Sequence, residues 1–351
     1  MAEKKIRVGV VGASGYTGGE LLRLLAGHPN VEVTLVTAEK HAGKSVADVF
    51  ASLTGPIGSL RLEKLTDASH AAGRCDFVFT ALPHHASAEM GAQLFAAGLR
   101  VVDLSADFRF ETLPVYEAWY GAHPHPELLP KAVYGLPELH RAKIKGAKLV
   151  ANPGCYVTSA ILALAPLLKH GLIEPTDILD DAKSGMSGAG RSASEDMLFS
   201  EVNEGLRPYK VANHRHQPEI EKELSLVAGQ DVVLTFVPHL LPINRGILST
   251  LYCKPKGTLS REQVLDAMRT FYQGEPFIRV LPAGKLPNPA QVKGSNFCDL
   301  GAHVDARQNR VIVFSSLDNL VKGASGQAVQ NMNLMLGFPE TTGIGHYPVF
   351  P

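Results

Sequence analysis

The chain has 351 residues, 45% of them apolar, which allows sizeable cores and favours two domains. Its 34 lysines and arginines balance its 34 aspartates and glutamates, so it has no global basic footprint for nucleic acid and no polybasic patch for a membrane surface. No stretch approaches the ~18 consecutive apolar residues of a membrane span, and the run Ile6 to Val11 is too short for a signal-peptide core, so a cytoplasmic protein is expected.

Residues 6–11 read as a buried strand, followed by a glycine-rich turn and an apolar-periodic helix from about Tyr16 to Ala26. A second strand, Val31 to Val36, closes a βαβ unit. The alternation continues with a strand at Phe77–Leu82, a helix at Ser87–Ala97 and a strand at Arg100–Leu104. This is the pattern of a Rossmann-type α/β domain, a doubly wound parallel sheet with helices on both faces. Five prolines between Pro114 and Pro137 mark an irregular stretch across about 110–150. A strand at Lys148–Ala151 then runs through Asn152-Pro153-Gly154-Cys155 into an apolar helix, Val157 to Leu168. Apolar runs at Val232–Val237, Gly246–Tyr252, Ile278–Leu281 and Arg310–Leu317 predict the mixed sheet of an α+β domain, and a last helix covers about Gly326 to Leu336.

Gly12-Ala13-Ser14-Gly15-Tyr16-Thr17-Gly18 sits at the first strand-to-helix junction. Such glycines permit a sharp turn and let a pyrophosphate approach the helix N-terminus, where free N–H groups and the dipole favour an anion. The second strand runs out into Thr37, with Lys40 and Lys44 close behind, and carries no acidic residue at its end. A hydroxyl and two lysines suit the 2′-phosphate of NADP better than the bare ribose of NAD, with Glu39 the opposing feature.

Four scattered cysteines without a C-x-x-C pair fit free thiols in a reducing compartment. Cys155 is the nucleophile candidate, because it follows a strand and a Pro-Gly turn and opens a helix whose N-terminus stabilises a thiolate. Cys75, Cys253 and Cys298 read as small core residues. His214 and His216 flank Arg215 in a segment expected to be extended, which would point both rings to one side. One of them would handle the proton. A zinc site of Cys155, His214 and His216 is the competing reading, disfavoured because no further ligand is near in sequence; no metal is expected. His84, His85, His123 and His125 read as loop or surface residues. Arg109, after a strand end, and Arg245, in a turn entering a strand, are candidates to grip phosphate or carboxylate, against the alternative of structural ion pairs. The loop Lys183–Arg191, with Ser187 and Gly188 at its centre, would let backbone approach a nicotinamide or substrate, or be a surface loop.

Taken in order, GASGYTG (12–18), FTALPHHAS (79–87), VVDLSADFR (101–109), AVYGLPEL (132–139), NPGCYVT (152–158), SGMSGAGR (184–191), HRHQPEI (214–220) and HLLPINRG (239–246) resemble the N-acetyl-gamma-glutamyl-phosphate reductase family, related to aspartate-semialdehyde dehydrogenase. The resemblance covers essentially the whole chain. It implies an NADP-binding domain, 1–150, completed by a C-terminal helix segment, 326–351, and a catalytic and dimerisation domain, 151–325. It implies NADPH-dependent reduction of N-acetyl-L-glutamyl 5-phosphate through a thioester on Cys155, with His216 as acid/base. It further implies Arg109 on phosphate, Arg245 on carboxylate, Asn152 and His214 as substrate contacts, and a homodimer or homotetramer. Rival readings are a sister reductase using a carrier-bound substrate, an NADP sensor without chemistry, and a zinc hydrolase.

Overall fold

The structure, a computed structural model, describes residues 5–65 and 67–349. The chain divides into two compact units, Met1–Pro153 with Ala324–His346, and Gly154–Gly323 with Tyr347–Pro351.

The first unit holds a six-stranded sheet. Its strands are β1 (Ile6–Val11), β2 (Val31–Thr37), β3 (Phe77–Thr80), β4 (Arg100–Asp103), β5 (Val133–Tyr134) and β6 (Leu149–Ala151), in the order β2-β1-β3-β4-β6-β5. Every pairing is parallel. Central strands such as Phe77–Thr80 are buried throughout, as expected of a sheet covered on both faces. The doubly wound expectation holds, and the strand order reverses direction at β1, beside β3. Ligands of open α/β sheets bind outside the strand C-termini at such a point.

The stretch expected to be irregular contains two helices, Leu113–Tyr120 and Pro137–Lys145. Pro114 and Pro137 sit in their first turns, where the missing N–H would be unsatisfied anyway, so these two prolines mark helix starts. The last helix, Gly326–Leu336, is buried from Gly326 to Met335 and packs within this unit on the Tyr16–Ala26 and Pro137–Lys145 helices.

The second unit is built on a seven-stranded mixed sheet: β7 (Ile173–Gly185), β8 (Arg207–Pro208), β9 (Leu234–Leu241), β10 (Ile247–Pro255), β11 (Ile278–Val280), β12 (Cys298–Asp305) and β13 (Arg310–Leu317), ordered β11-β12-β13-β10-β7-β9-β8. One face is covered by the helix Cys155–Lys169, buried continuously from Tyr156 to Leu168. Pro166 interrupts its hydrogen-bond ladder, and the carbonyl thus left over, on Leu162, accepts the Tyr272 hydroxyl at 2.7 Å. On β7 and β10 burial alternates. Ile178, Asp180 and Ala182 face the helix, whereas Leu179, Leu248 and Tyr252, with Ile312 and Phe314 of β13, form an opposite face that is only partly buried.

Candidate active site

In the first unit the three glycines of the opening turn differ in role. Gly12 has φ +86°, and a Cβ there would lie 2.5 Å from the Ala81 carbonyl oxygen. A Cβ on Gly18 would lie 2.5 Å from the Ala13 carbonyl oxygen, so the helix packs directly on its own turn. A Cβ on Gly15, the helix N-cap, would meet nothing within 4 Å. Two glycines therefore serve close packing, and the middle one leaves the helix N-terminus open to an approaching anion. Thr37 is buried; its Oγ1 accepts from Gly12 N at 3.3 Å and its carbonyl from Ala13 N at 2.8 Å, tying the β2 end to the turn. Ser14 is half-buried and Tyr16 is 40% exposed at the helix start, while the Thr17 carbonyl accepts the Ser325 hydroxyl at 2.9 Å. Lys40 and Lys44 are exposed in the turn after β2, and Glu39 pairs with Lys64 at 3.3 Å. These residues fit a dinucleotide.

At the β4 end, Arg109 is only 6% exposed. Its Nε donates to the Asn152 carbonyl at 2.8 Å and its Nη2 to the Leu104 carbonyl at 3.1 Å. Asn152 is buried; its Nδ2 donates to the Ala324 carbonyl at 3.1 Å and its Oδ1 accepts from Asn331 Nδ2 at 3.1 Å. Asn152 is thus held as framework within its unit. Buried Asp107 accepts from His85 N at 2.8 Å, Ala88 N at 2.9 Å and the Tyr116 hydroxyl at 2.9 Å, and it steadies His85 at φ +67°. His123 departs from the surface expectation. It is 7% exposed, and its Nε2 is 2.8 Å from the Asp107 carbonyl.

In the second unit Cys155 is the first residue of its helix, half-buried, behind Gly154 in extended conformation. The other three cysteines are buried, and burial pushes the thiols of Cys75 and Cys253 up. The His214–His216 segment is a turn, not an extended strand, and His216 caps the helix Gln217–Ala228. The turn still brings the rings together, with centroids 4.7 Å apart and the His216 N–H donating to His214 Nδ1 at 3.1 Å. Their environments differ. Burial, then Lys210 and Arg215, lower His214 to about 4. His216 lies against Gly154, where an added Cβ would come within 2.5 Å of its Nε2. Tyr156 and Tyr209 line the same corner; the Tyr156 hydroxyl donates to the His239 carbonyl at 2.9 Å, and burial pushes Tyr209 up to about 12.

Sequence reasoning assigned no role to Glu219, which is buried and accepts from Gly154 N at 3.1 Å. Its place in the first turn after His216 was the available signal. Arg245 Nε pairs with buried Asp318 at 3.0 Å. Ser187, in the 3-10 turn Met186–Ala189, accepts from Asn319 Nδ2 at 2.9 Å, and Gly188 beside it is exposed. Among the described residues no group of three or more His, Cys, Asp or Glu is arranged to hold a metal ion, and no helix is long and apolar enough to cross a membrane.

Two family models match: "Semialdehyde dehydrogenase, NAD binding domain" over residues 7–147 and "Semialdehyde dehydrogenase, dimerisation domain" over residues 155–319. Proteins named N-acetyl-gamma-glutamyl-phosphate reductase from Geotalea daltonii and Geobacter sulfurreducens are each 56% identical over 347 residues, 99% of this chain and 100% of theirs. One from Citrifermentans bemidjiense is 57% identical over the same span. Two solved structures share the fold. Aspartate semialdehyde dehydrogenase II of Vibrio cholerae complexed with ASA has a TM-score of 0.74 at 17% identity, covering 95% of this chain and 99% of its own. Aspartate semialdehyde dehydrogenase with NADP from Candida albicans has a TM-score of 0.72 at 16% identity, covering 95% and 98%. The first unit accordingly carries a nicotinamide-dinucleotide-binding domain and the second the dimerisation domain of this fold. With full-length relatives at this identity, the chain belongs to the N-acetyl-gamma-glutamyl-phosphate reductase family.

Proposed function

We propose that the chain reduces N-acetyl-L-glutamyl 5-phosphate to N-acetyl-L-glutamate 5-semialdehyde and phosphate, with NADPH as reductant, in arginine biosynthesis. The carrying observation is Cys155 at a helix N-terminus behind Gly154, on which the His216 ring rests.

The Cys155 thiolate attacks the γ-carbonyl carbon; the bond from that carbon to the phosphate oxygen breaks, and a thioester forms on the sulfur. The first N–H groups of a helix have no intrahelical partner, so those at the start of the Cys155 helix can donate to the developing oxyanion. His216 receives the thiol proton and returns it as the aldehyde leaves. His214 is unsuited to that task, because it stays neutral to about pH 4; its Nδ1 instead fixes the His216 backbone. The dinucleotide, when bound, supplies the hydride that takes the acyl group to the aldehyde level. Gly12, Ser14, Gly15, Tyr16, Thr17, Gly18 and Thr37 are assigned to holding it, with Ser187 and Gly188 toward the nicotinamide. Lys40 and Lys44 favour the 2′-phosphate of NADP, and pairing with Lys64 reduces the objection raised by Glu39. Arg245 is assigned to the substrate carboxylate and Arg109 to the departing phosphate. Asn152 and His214 become supports rather than substrate contacts. The partly buried apolar sheet face around Tyr252, Ile312 and Phe314 is assigned to a homodimer contact.

The test is the reverse reaction, with N-acetylglutamate semialdehyde, NADP and inorganic phosphate, following NADPH absorbance. NADPH formation that requires both phosphate and Cys155 is the expected result, with Cys155→Ser at least about a thousandfold slower. Turnover by Cys155→Ser at the wild-type rate would refute the covalent route. NAD in place of NADP decides the cofactor.

A further inference from the structure

We infer that Asp318 and Asn319 form a buried clasp that positions Arg245 relative to Cys155, making Asp318 a positioning residue for capture of the substrate's carboxylate; the inference rests on the reaction proposed above. The chain leaves β13 at Leu317, and its next two residues are 0% and 2% exposed. Their side chains reach segments distant in sequence. The Asp318 carboxylate accepts from Arg245 Nε, 3.2 Å from Oδ1 and 3.0 Å from Oδ2, and from the backbone N–H of Gly294 at 2.6 Å. It also accepts from Leu320 N at 2.9 Å. Asn319 Oδ1 accepts from Gly246 N at 2.8 Å, and its Nδ2 donates to Ser187 Oγ at 2.9 Å. The Asp318 carbonyl accepts from Val321 N at 3.1 Å and Gly323 N at 3.0 Å. Gly323 touches the nucleophile so closely that a Cβ there would lie 2.8 Å from Cys155 Cβ.

One dipeptide therefore holds three things: the turn that carries Arg245, the glycine loop at Ser187, and the segment that abuts Cys155. A carboxylate buried this fully needs a cation and donors around it, and Asp318 has both. Pairing at Nε sets the plane of the guanidinium. The Arg245 side chain lines an open cavity of about 560 Å³, together with Lys183, Asn244, Leu241, Leu248 and Lys293. For Arg245 and Cys155 to act on one substrate, the separation between cation and thiol must match the carbon chain between its carboxylate and its acyl carbon, and the clasp ties the Arg245 turn and the segment beside Cys155 to one dipeptide.

The full-length enzyme with NADP and phosphate tests the inference through two aldehydes, N-acetylglutamate semialdehyde and N-acetyl-4-aminobutanal, which lacks the carboxylate. Asp318→Asn keeps one acceptor oxygen, for Leu320 N or Gly294 N, and removes the charge facing Arg245. The expected result is a KM for the carboxylated aldehyde raised at least about tenfold, with kcat within roughly threefold of wild type, as for loss of a charged hydrogen bond acting on binding. The carboxylate-free aldehyde should show unchanged kcat/KM, and NADP an unchanged KM. In an Arg245→Ala background, Asp318→Asn should leave the KM for the carboxylated aldehyde where Arg245→Ala alone puts it. Equal losses on both aldehydes, an unchanged KM, or a further loss in the Arg245→Ala background would overturn the inference. Should Asp318→Asn fail to fold, Asp318→Glu, which keeps the charge and displaces it by one methylene, must give the same one-substrate KM effect, or the inference falls. A wild-type enzyme inactive on the carboxylated aldehyde would remove the proposed reaction itself and this inference with it.

Discussion

At the level of single residues, the opening turn separates packing from binding. Gly15→Ala places its methyl in open space, so it should leave the melting temperature within about 2 °C of wild type and weaken dinucleotide binding several-fold, as read by titration calorimetry. Gly12→Ala, at φ +86° and against the Ala81 carbonyl, should lose stability first, by about 1–3 kcal/mol. His214 carries a pH signature. Its folded-state value of about 4 lies below the ordinary 6.5, so between these the unfolded chain binds more protons. Stability should therefore rise with pH across that window and be lost as pH falls through it. Replacement by glutamine should flatten the slope by on the order of 1–2 kcal/mol between pH 7 and 5, measured by urea unfolding. Cys155 and the glycines were legible in the sequence because their meaning is local: each follows a strand and opens a helix. Glu219 and Asp318 were not, because their partners Gly154 and Arg245 lie 65 and 73 residues away.

At the level of elements, what misleads in the sequence is proline and mixed polarity. Pro114 and Pro137 suggested irregular chain, yet both occupy helix first turns. β7 escaped notice because Glu174, Pro175, Thr176 and Asp177 break its apolar alternation, and because its end, Lys183–Gly185, reads as part of a glycine loop. β1 and β13 match their expected limits, since continuous or strictly alternating apolar runs leave little ambiguity. The histidine pair, whose rings an extended segment would point to one side, lies in a turn, where tertiary packing around Tyr156 decides ring placement. The helix Cys155–Lys169 tolerates Pro166 through Tyr272. Tyr272→Phe strands the Leu162 carbonyl in a buried site and should destabilise the second unit by about 1–3 kcal/mol without altering the KM for NADP, checked by denaturant midpoint and kinetics.

Across the whole molecule, the second unit's sheet has one face sealed by helices and the other rich in half-buried apolar side chains. Phe314→Asp would put a charge amid such a contact, so light scattering should report a smaller assembly than wild type, with circular dichroism unchanged. The division of the chain has a temporal consequence. Every residue from Gly154 to Gly323 is translated before the buried helix Gly326–Leu336 that belongs to the first unit's core. On the ribosome, then, the first unit waits unfinished, with an apolar surface bare, while the second emerges complete but for its last few residues. Nascent chains stalled before Ala324 should recruit chaperones through the first unit, and a ribosome pausing late in the message would prolong that exposure more than one pausing early.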